Sequence, residues 1–163
     1  MTAQDQAKPT MKEYRQALKA AYDEMAKEAP DHQKVETLLR DQAKEGNPIA
    51  KYGLGSWYLH GSHHFQKDVA KGIKLIEEAA EERVPEACYD LAYGFESGKG
   101  GEQNPKMAFK YYVLAALYGD SDSFVHVGRC YHDGIGVEKD EELADCWWEK
   151  AESLGAKHAS SDG

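Results

Sequence analysis

Apolar residues along this chain recur at steps of three and four, not two. Around residues 50–58 they fall at Ala50, Leu54 and Tyr58, with Tyr52 and Gly55 beside them. That is the stripe of a helix rather than the alternation of a strand. The stripe returns at Ala87, Tyr89, Leu91, Ala92 and Phe95, and again at Ser123, Val125, Val127, Gly128 and Tyr131. Each stretch ends on a glycine, Gly61, Gly98 or Gly134, separated by 37 and 36 residues. Glycine suits the left-handed residue that closes a helix. Asp68, Asn104 and Asp140 then stand where a second helix needs its N-cap, and Pro105 occupies a first helical position. The second stripes are expected to bury Ile73, Ile76 and Ala80; Phe109, Tyr112 and Ala116; and Leu143 with Trp147 and Trp148. Gly55, Ala92 and Gly128 share one register position. A mid-helix glycine costs about 1 kcal/mol against alanine, so its recurrence predicts a closely approaching neighbour.

The unit of organisation is therefore a helix pair repeated every 36–37 residues. Upstream the register persists, because Asp31 lies 37 residues before Asp68 and Gly46 lies 37 before Arg83. Arg83 in turn holds the place of Gly119 and Gly155. The first helix is expected to set Tyr14, Leu18, Ala21, Tyr22 and Met25 on one face. Eight helices are predicted, near 10–28, 31–45, 48–60, 68–83, 85–97, 105–118, 121–132 and 140–154. The domain division that follows is a disordered N-terminus at 1–9 and a divergent helix pair at 10–46. Three repeats follow at 47–83, 84–119 and 120–155, then a polar tail at 156–163.

These residues resemble the Sel1-like repeat: a small residue, an aromatic, Leu-Gly, Tyr, then Gly-x-Gly-Val, Asp, Ala, Trp and Ala-Ala. The third unit, VGRCYHDGIGVEKDEELADCWWEKAESLG, carries the pattern throughout. The second departs at its loop, GKGGEQN, and the first more so, with the one-residue-longer GSHHFQKD. The related tetratricopeptide repeat has a 34-residue period and lacks the glycine-rich loop. The resemblance implies an all-α fold: an α-solenoid of about four antiparallel helix pairs in a right-handed superhelix, used to bind proteins. Members of the family serve as adaptors, regulators and secreted virulence factors, and some small ones are immunity proteins that neutralise toxins.

Charge narrows the partner. The 163 residues carry 29 acids and 20 bases, a net of −9. Residues 1–46 hold nine acids and eight bases, so the excess lies in the repeats, with twenty against twelve. Nucleic acid and anionic membranes are poor partners for such a body, whereas a basic protein is steered towards it. The longest strictly apolar run, Tyr111 to Tyr118, is far short of the ~20 residues that span a bilayer. The N-terminal residues lack the basic-then-apolar pattern of a signal peptide. With Cys88, Cys130 and Cys146 widely spaced, the expectation is reduced thiols in a cytoplasm.

No catalytic motif is present. There is no GxSxG, HExxH or phosphate loop, so no enzyme, metal or cofactor is expected. The only cluster with metal-ligating chemistry is His60, His63 and His64, in a loop whose helix should end at Gly61. Spacing alone supplies neither the ligand count nor the geometry. The Trp147–Trp148 pair is expected to pack in the core. Binding is expected instead on the first helices of the repeats. Removing the packing positions leaves Ile49, Gly53, Ser56 and His60; Glu86, Asp90, Tyr93 and Ser97; and Asp122, His126, Arg129 and Asp133. From these faces the partner-binding set is Ser56, Trp57, His60, Asp90, Tyr93, His126, Arg129 and Asp133, with Tyr93 and Arg129 the types enriched at hot spots. A cytoplasmic immunity protein that blocks a toxin, or else an adaptor, follows as the expected function.

Overall fold

The computed structural model describes residues 8–62, 65–99 and 101–156; the expectations for residues 1–7, His63, His64, Gly100 and 157–163 lie outside them. Nine helices and no strand occur among the described residues: α1 (Met11–Ala17), α2 (Lys19–Met25), α3 (His32–Lys44), α4 (Pro48–His60), α5 (Val69–Glu81), α6 (Pro85–Ser97), α7 (Pro105–Leu117), α8 (Ser121–Asp133) and α9 (Glu141–Ser153). From α3 onward the helices match the sequence periodicity within a residue or two at either end. The signals at their ends work as read. The side chains of Asp68, Asn104 and Asp140 accept hydrogen bonds from the backbone N–H groups of Lys71, Met107 and Leu143. Gly61, Gly98 and Gly134 are left-handed, with φ of 65°, 71° and 73°. Arg83 adopts the same region at φ 66°, in the register position where Gly119 and Gly155 stand later. Two compact units result, Met1–Leu75 and Ile76–Gly163, with their boundary inside α5.

In the first unit, a capping box starts α1. The Thr10 hydroxyl accepts from the Glu13 N–H at 3.3 Å, and the Glu13 carboxylate accepts from the Thr10 N–H at 2.7 Å. The single helix expected over 10–28 is broken at Leu18, whose N–H turns back to the Arg15 carbonyl at 3.2 Å. That tighter i→i−3 bond shifts the helical phase. The buried series becomes Tyr14, Leu18, Ala21 and Glu24, while Tyr22 and Met25, expected inside, are exposed at 47% and 36%. Glu24 is paired where it is buried. Its carboxylate accepts from Lys27 at 2.9 Å, Lys34 at 2.8 Å and the Asp31 N–H at 3.3 Å. The hydrogen bonds from Lys34 and then Lys27 outweigh burial and pull its pKa down to about 2. Asn47 fastens α4: its side chain caps Ile49 and Ala50 and donates to the Tyr14 carbonyl at 3.0 Å.

In the second unit α6 pairs with α7, α8 with α9, and α7 also packs on α8. Ala92, Ala108, Tyr112, Val127 and Cys130 form a closed core, lined by Phe109, Tyr131, Ile135, Val137 and Trp147. Ile135 and Val137 come from the glycine-rich loop, which is thus an apolar plug. Gly136 between them has φ 71°, and a Cβ there would lie 2.0 Å from the Pro105 carbonyl oxygen. Gly128 answers to the predicted close neighbour, since a Cβ would lie 2.4 Å from Trp148 Nε1. That nitrogen donates to the Val125 carbonyl at 3.2 Å, so the indole crosses α8 over a gap only glycine leaves. Leu143, expected inside, is 41% exposed; Ala144, one position on, faces inward in its place. All three cysteines are free thiols, with Cys88 and Cys130 buried and Cys146 exposed. Burial pushes the Cys88 and Cys130 pKa values up to about 11, which leaves them unreactive.

Candidate functional site

The surface expected to bind a partner takes a different form in each unit. In the first, α4 carries Ser56, Trp57 and His60. Ile49, counted with the open face, is buried at 5%, and Gly53 lies against Leu39 of α3, with its Cβ position 3.5 Å from both methyls. The α4 face is therefore largely covered. His60 is exposed, and its Nδ1 lies 2.9 Å from the Ser56 carbonyl one turn back. Trp57 is half-buried, edge-on to Phe65 at 5.0 Å and to His32 at 6.4 Å. Phe65 belongs to the longer loop and is itself buried at 7%. It anchors that loop where the third repeat uses Ile135 and Val137. His63 and His64 lie outside the described residues; among those described, no group of three His, Cys, Asp or Glu side chains could hold a metal.

In the second unit α6 and α8 bring together a polar and aromatic cluster. His126 of α8 stacks flat on Tyr112 of α7, with centroids 4.6 Å apart and planes 5° apart. It also meets Tyr89 of α6 edge-on at 5.4 Å. Its Nε2 is 3.4 Å from the Tyr89 hydroxyl, and its buried Nδ1 has no hydrogen-bond partner among the described residues. Arg129, one turn along, forms an ion pair with Glu96 at 2.7 Å. The Tyr112 hydroxyl donates to the same carboxylate at 2.7 Å.

The electrostatics follow from that geometry. Burial works to raise the Glu96 pKa, but the donors Tyr112 and Arg129 outweigh it and hold the carboxyl below its usual range. Burial, then the Arg129 guanidinium, pushes the His126 imidazole below its ordinary value against the weaker pull of Glu96, Asp120 and Asp122. His126 is thus a neutral ring in a packed site, and the Glu96–Arg129 pair is a fixed strut between α6 and α8. No nucleophile–base pair occurs in this cluster.

Tyr93 stands one turn from Tyr89 on the same helix and is 45% exposed. Lys99 lies 4.8 Å over its ring and donates to its hydroxyl at 2.9 Å. Asp90 is half-buried beside it, and Asp122 and Asp133 are exposed on α8. The Asp133 carboxylate is 2.7 Å from His132 Nδ1. Asp90, Tyr93, Asp122 and Asp133 therefore form the acidic rim of the α6–α8 face, and His126 and Arg129 form its packed floor. Sequence reasoning missed Glu96 and the polar role of Tyr89 and Tyr112. The available signal was Glu96 seven residues after Tyr89, two helical turns along and on the same face as Tyr93.

Residues 48–83, 85–120 and 125–155 each match the Sel1 repeat family. A 75-residue stretch, 45% of this chain, is 37% identical to a chitin synthase regulator of Saccharomyces cerevisiae. Another of 89 residues, 55% of the chain, is 33% identical to DAP3-binding cell death enhancer 1 of Rattus norvegicus. These stretches span 11% and 17% of those two proteins. The crystal structure of a Sel1 repeat protein from Oxalobacter formigenes superposes with a TM-score of 0.69 over 73% of this chain and 89% of its own, at 32% identity.

Proposed function

The chain belongs to the Sel1 repeat family, and from that premise we propose that it is a non-catalytic protein-binding module. The partner docks on the α6–α8 face of the second unit, on the rim at Asp90, Tyr93 and Asp133 above the floor of His126 and Arg129; Ser56, Trp57 and His60 of α4 form a separate contact surface belonging to the first unit. The observation that carries this reading is Tyr93, an aromatic ring 45% exposed beside acids on a floor that is already rigid. A preformed aromatic anchor costs little entropy on binding.

The partner's chemistry follows from charge. Residues 47–163 hold twenty acids against twelve bases, which steers a basic protein to this surface. On that basis the chain acts as a cytoplasmic immunity protein that neutralises a basic toxin or effector domain. The buried free thiols Cys88 and Cys130 suit a reducing compartment. The competing reading is a regulator or adaptor, favoured by the regulatory name of the yeast relative. Affinity separates the two. Cross-linked capture from the native cell, followed by titration of the captured protein, should give one basic partner bound at nanomolar Kd or tighter for a neutraliser. Several partners bound more weakly would identify an adaptor, and a turnover activity in the purified chain would end both readings.

A further inference from the structure

We propose that the first unit holds a second binding site, for a phosphate group, built by Arg40 of α3, Tyr58 of α4 and Lys71 of α5. The site belongs to the first unit, the α6–α8 face to the second, and it does not depend on the protein-binding reading. Arg40 Nη2 and Lys71 Nζ each donate to the Tyr58 hydroxyl oxygen at 2.9 Å. Two cations from different helices thus converge on one neutral atom. Like charges held this close repel unless an anion lies between them. Glu36 answers one of them, accepting from Arg40 Nε at 2.6 Å. No carboxylate pairs with Lys71 among the described residues, so one positive charge at the site stays unmatched in a chain of net charge −9.

The packing holds this convergence in place. Lys71 Nζ sits 4.0 Å over the Tyr58 ring, and the Arg40 guanidinium 5.6 Å from the Phe65 ring. Tyr58 itself meets Phe65 edge-on at 4.7 Å. The phenol oxygen accepts two hydrogen bonds, so its own hydrogen must point away from both donors. The site therefore offers three donors in a fan: the remaining guanidinium N–H groups, the remaining ammonium hydrogens and the phenolic O–H. It is open to a ligand, since the Arg40 side chain is 41% exposed and Lys71 lies on the surface. A phosphate offers three terminal oxygens and up to two negative charges, which matches this fan better than a carboxylate does. Free phosphate and a phosphorylated side chain of another protein share that chemistry.

The test is titration of the full chain, at constant ionic strength, with inorganic phosphate, a phosphoserine peptide and acetate. Saturable binding of phosphate is expected, at least tenfold weaker in Lys71→Met and in Arg40→Gln, and a few-fold weaker in Tyr58→Phe. Lys139→Gln, in the second unit, should bind as wild type does. A phosphopeptide that binds more tightly than inorganic phosphate assigns the natural source to a protein; the reverse order assigns it to free phosphate. Arg40 also holds Glu36, so if Arg40→Gln loses helicity, Lys71→Met decides alone, because Tyr58 is the only side-chain partner of the Lys71 ammonium among the described residues. No saturable binding, binding unchanged in Lys71→Met, or acetate bound as tightly as phosphate would overturn the proposal.

Discussion

Single residues set the tolerances of this fold. Gly128 is the sharpest case, because Trp148 occupies the space a Cβ would need. Gly128→Ala should destabilise the second unit by about 1–3 kcal/mol through overpacking, seen as a lower midpoint in denaturant melts; an unchanged midpoint would mean that the indole moves aside freely. The closeness was legible in the sequence from the recurrence of Gly55, Ala92 and Gly128, but its cause was not, since nothing in sequence says which side chain crosses the gap. His126 is the second case. Its pKa is lowered in the folded state, so below the unfolded value of ~6.5 the unfolded chain takes up a proton that the folded chain resists. Its stabilising contribution is complete above that value and is lost as pH falls through the folded pKa. The melting temperature should fall between pH 7 and pH 5, and His126→Phe, which keeps the stack on Tyr112, should flatten that decline. Equal slopes in the two proteins would show that His126 does not titrate as its packing implies.

Helices form where propensity and caps agree, and from α3 onward those signals were enough. The Asp140 cap illustrates their weight: Asp140→Ala should cost about 1 kcal/mol and fray the start of α9, measurable by amide exchange at Glu142 and Leu143. The failures lie where local rules lost to packing. The Leu18 break escaped notice because a stripe of Tyr14, Leu18, Ala21, Tyr22 and Met25 fits an unbroken helix equally well. What decides is Glu24, a charged residue drawn inside by Lys27 and Lys34, and a period count assigns any Glu to the outside. Leu143 failed for the opposite reason. It is apolar and near the stripe, yet Ala144, one position on, takes the fully buried place and leaves Leu143 41% exposed. Glu96 belongs to this scale as well. Its partners Tyr112 and Arg129 are 16 and 33 residues away, so only the packing of α6, α7 and α8 reveals the strut. Glu96→Gln keeps the shape but removes the charge of the ion pair, so it should lower the stability of the second unit more at pH 8 than in acid, where the wild-type carboxyl is itself protonated; equal losses at the two pH values in denaturant melts would contradict the strut.

At the scale of the whole molecule, the proposed function rests on the exposed faces of helix pairs. The family and its all-α repeat fold were readable from the glycine register. The face proposed to bind was read from the same register but not graded, because register cannot tell an exposed ring such as Tyr93 from a packed one such as His126. That distinction determines which substitutions probe binding without disturbing the fold. Arg129→Ala would break the strut to Glu96, so a loss of binding in that variant would mix docking with stability. Tyr93→Ala combined with Asp133→Lys alters only exposed side chains. The most direct measurement is the affinity of the captured native partner for this double variant, with helicity checked by circular dichroism. Binding through the α6–α8 rim predicts a loss of at least ~2 kcal/mol, about thirtyfold in Kd, with helicity unchanged and the loss shrinking as salt is raised. Wild-type affinity in the double variant would contradict it.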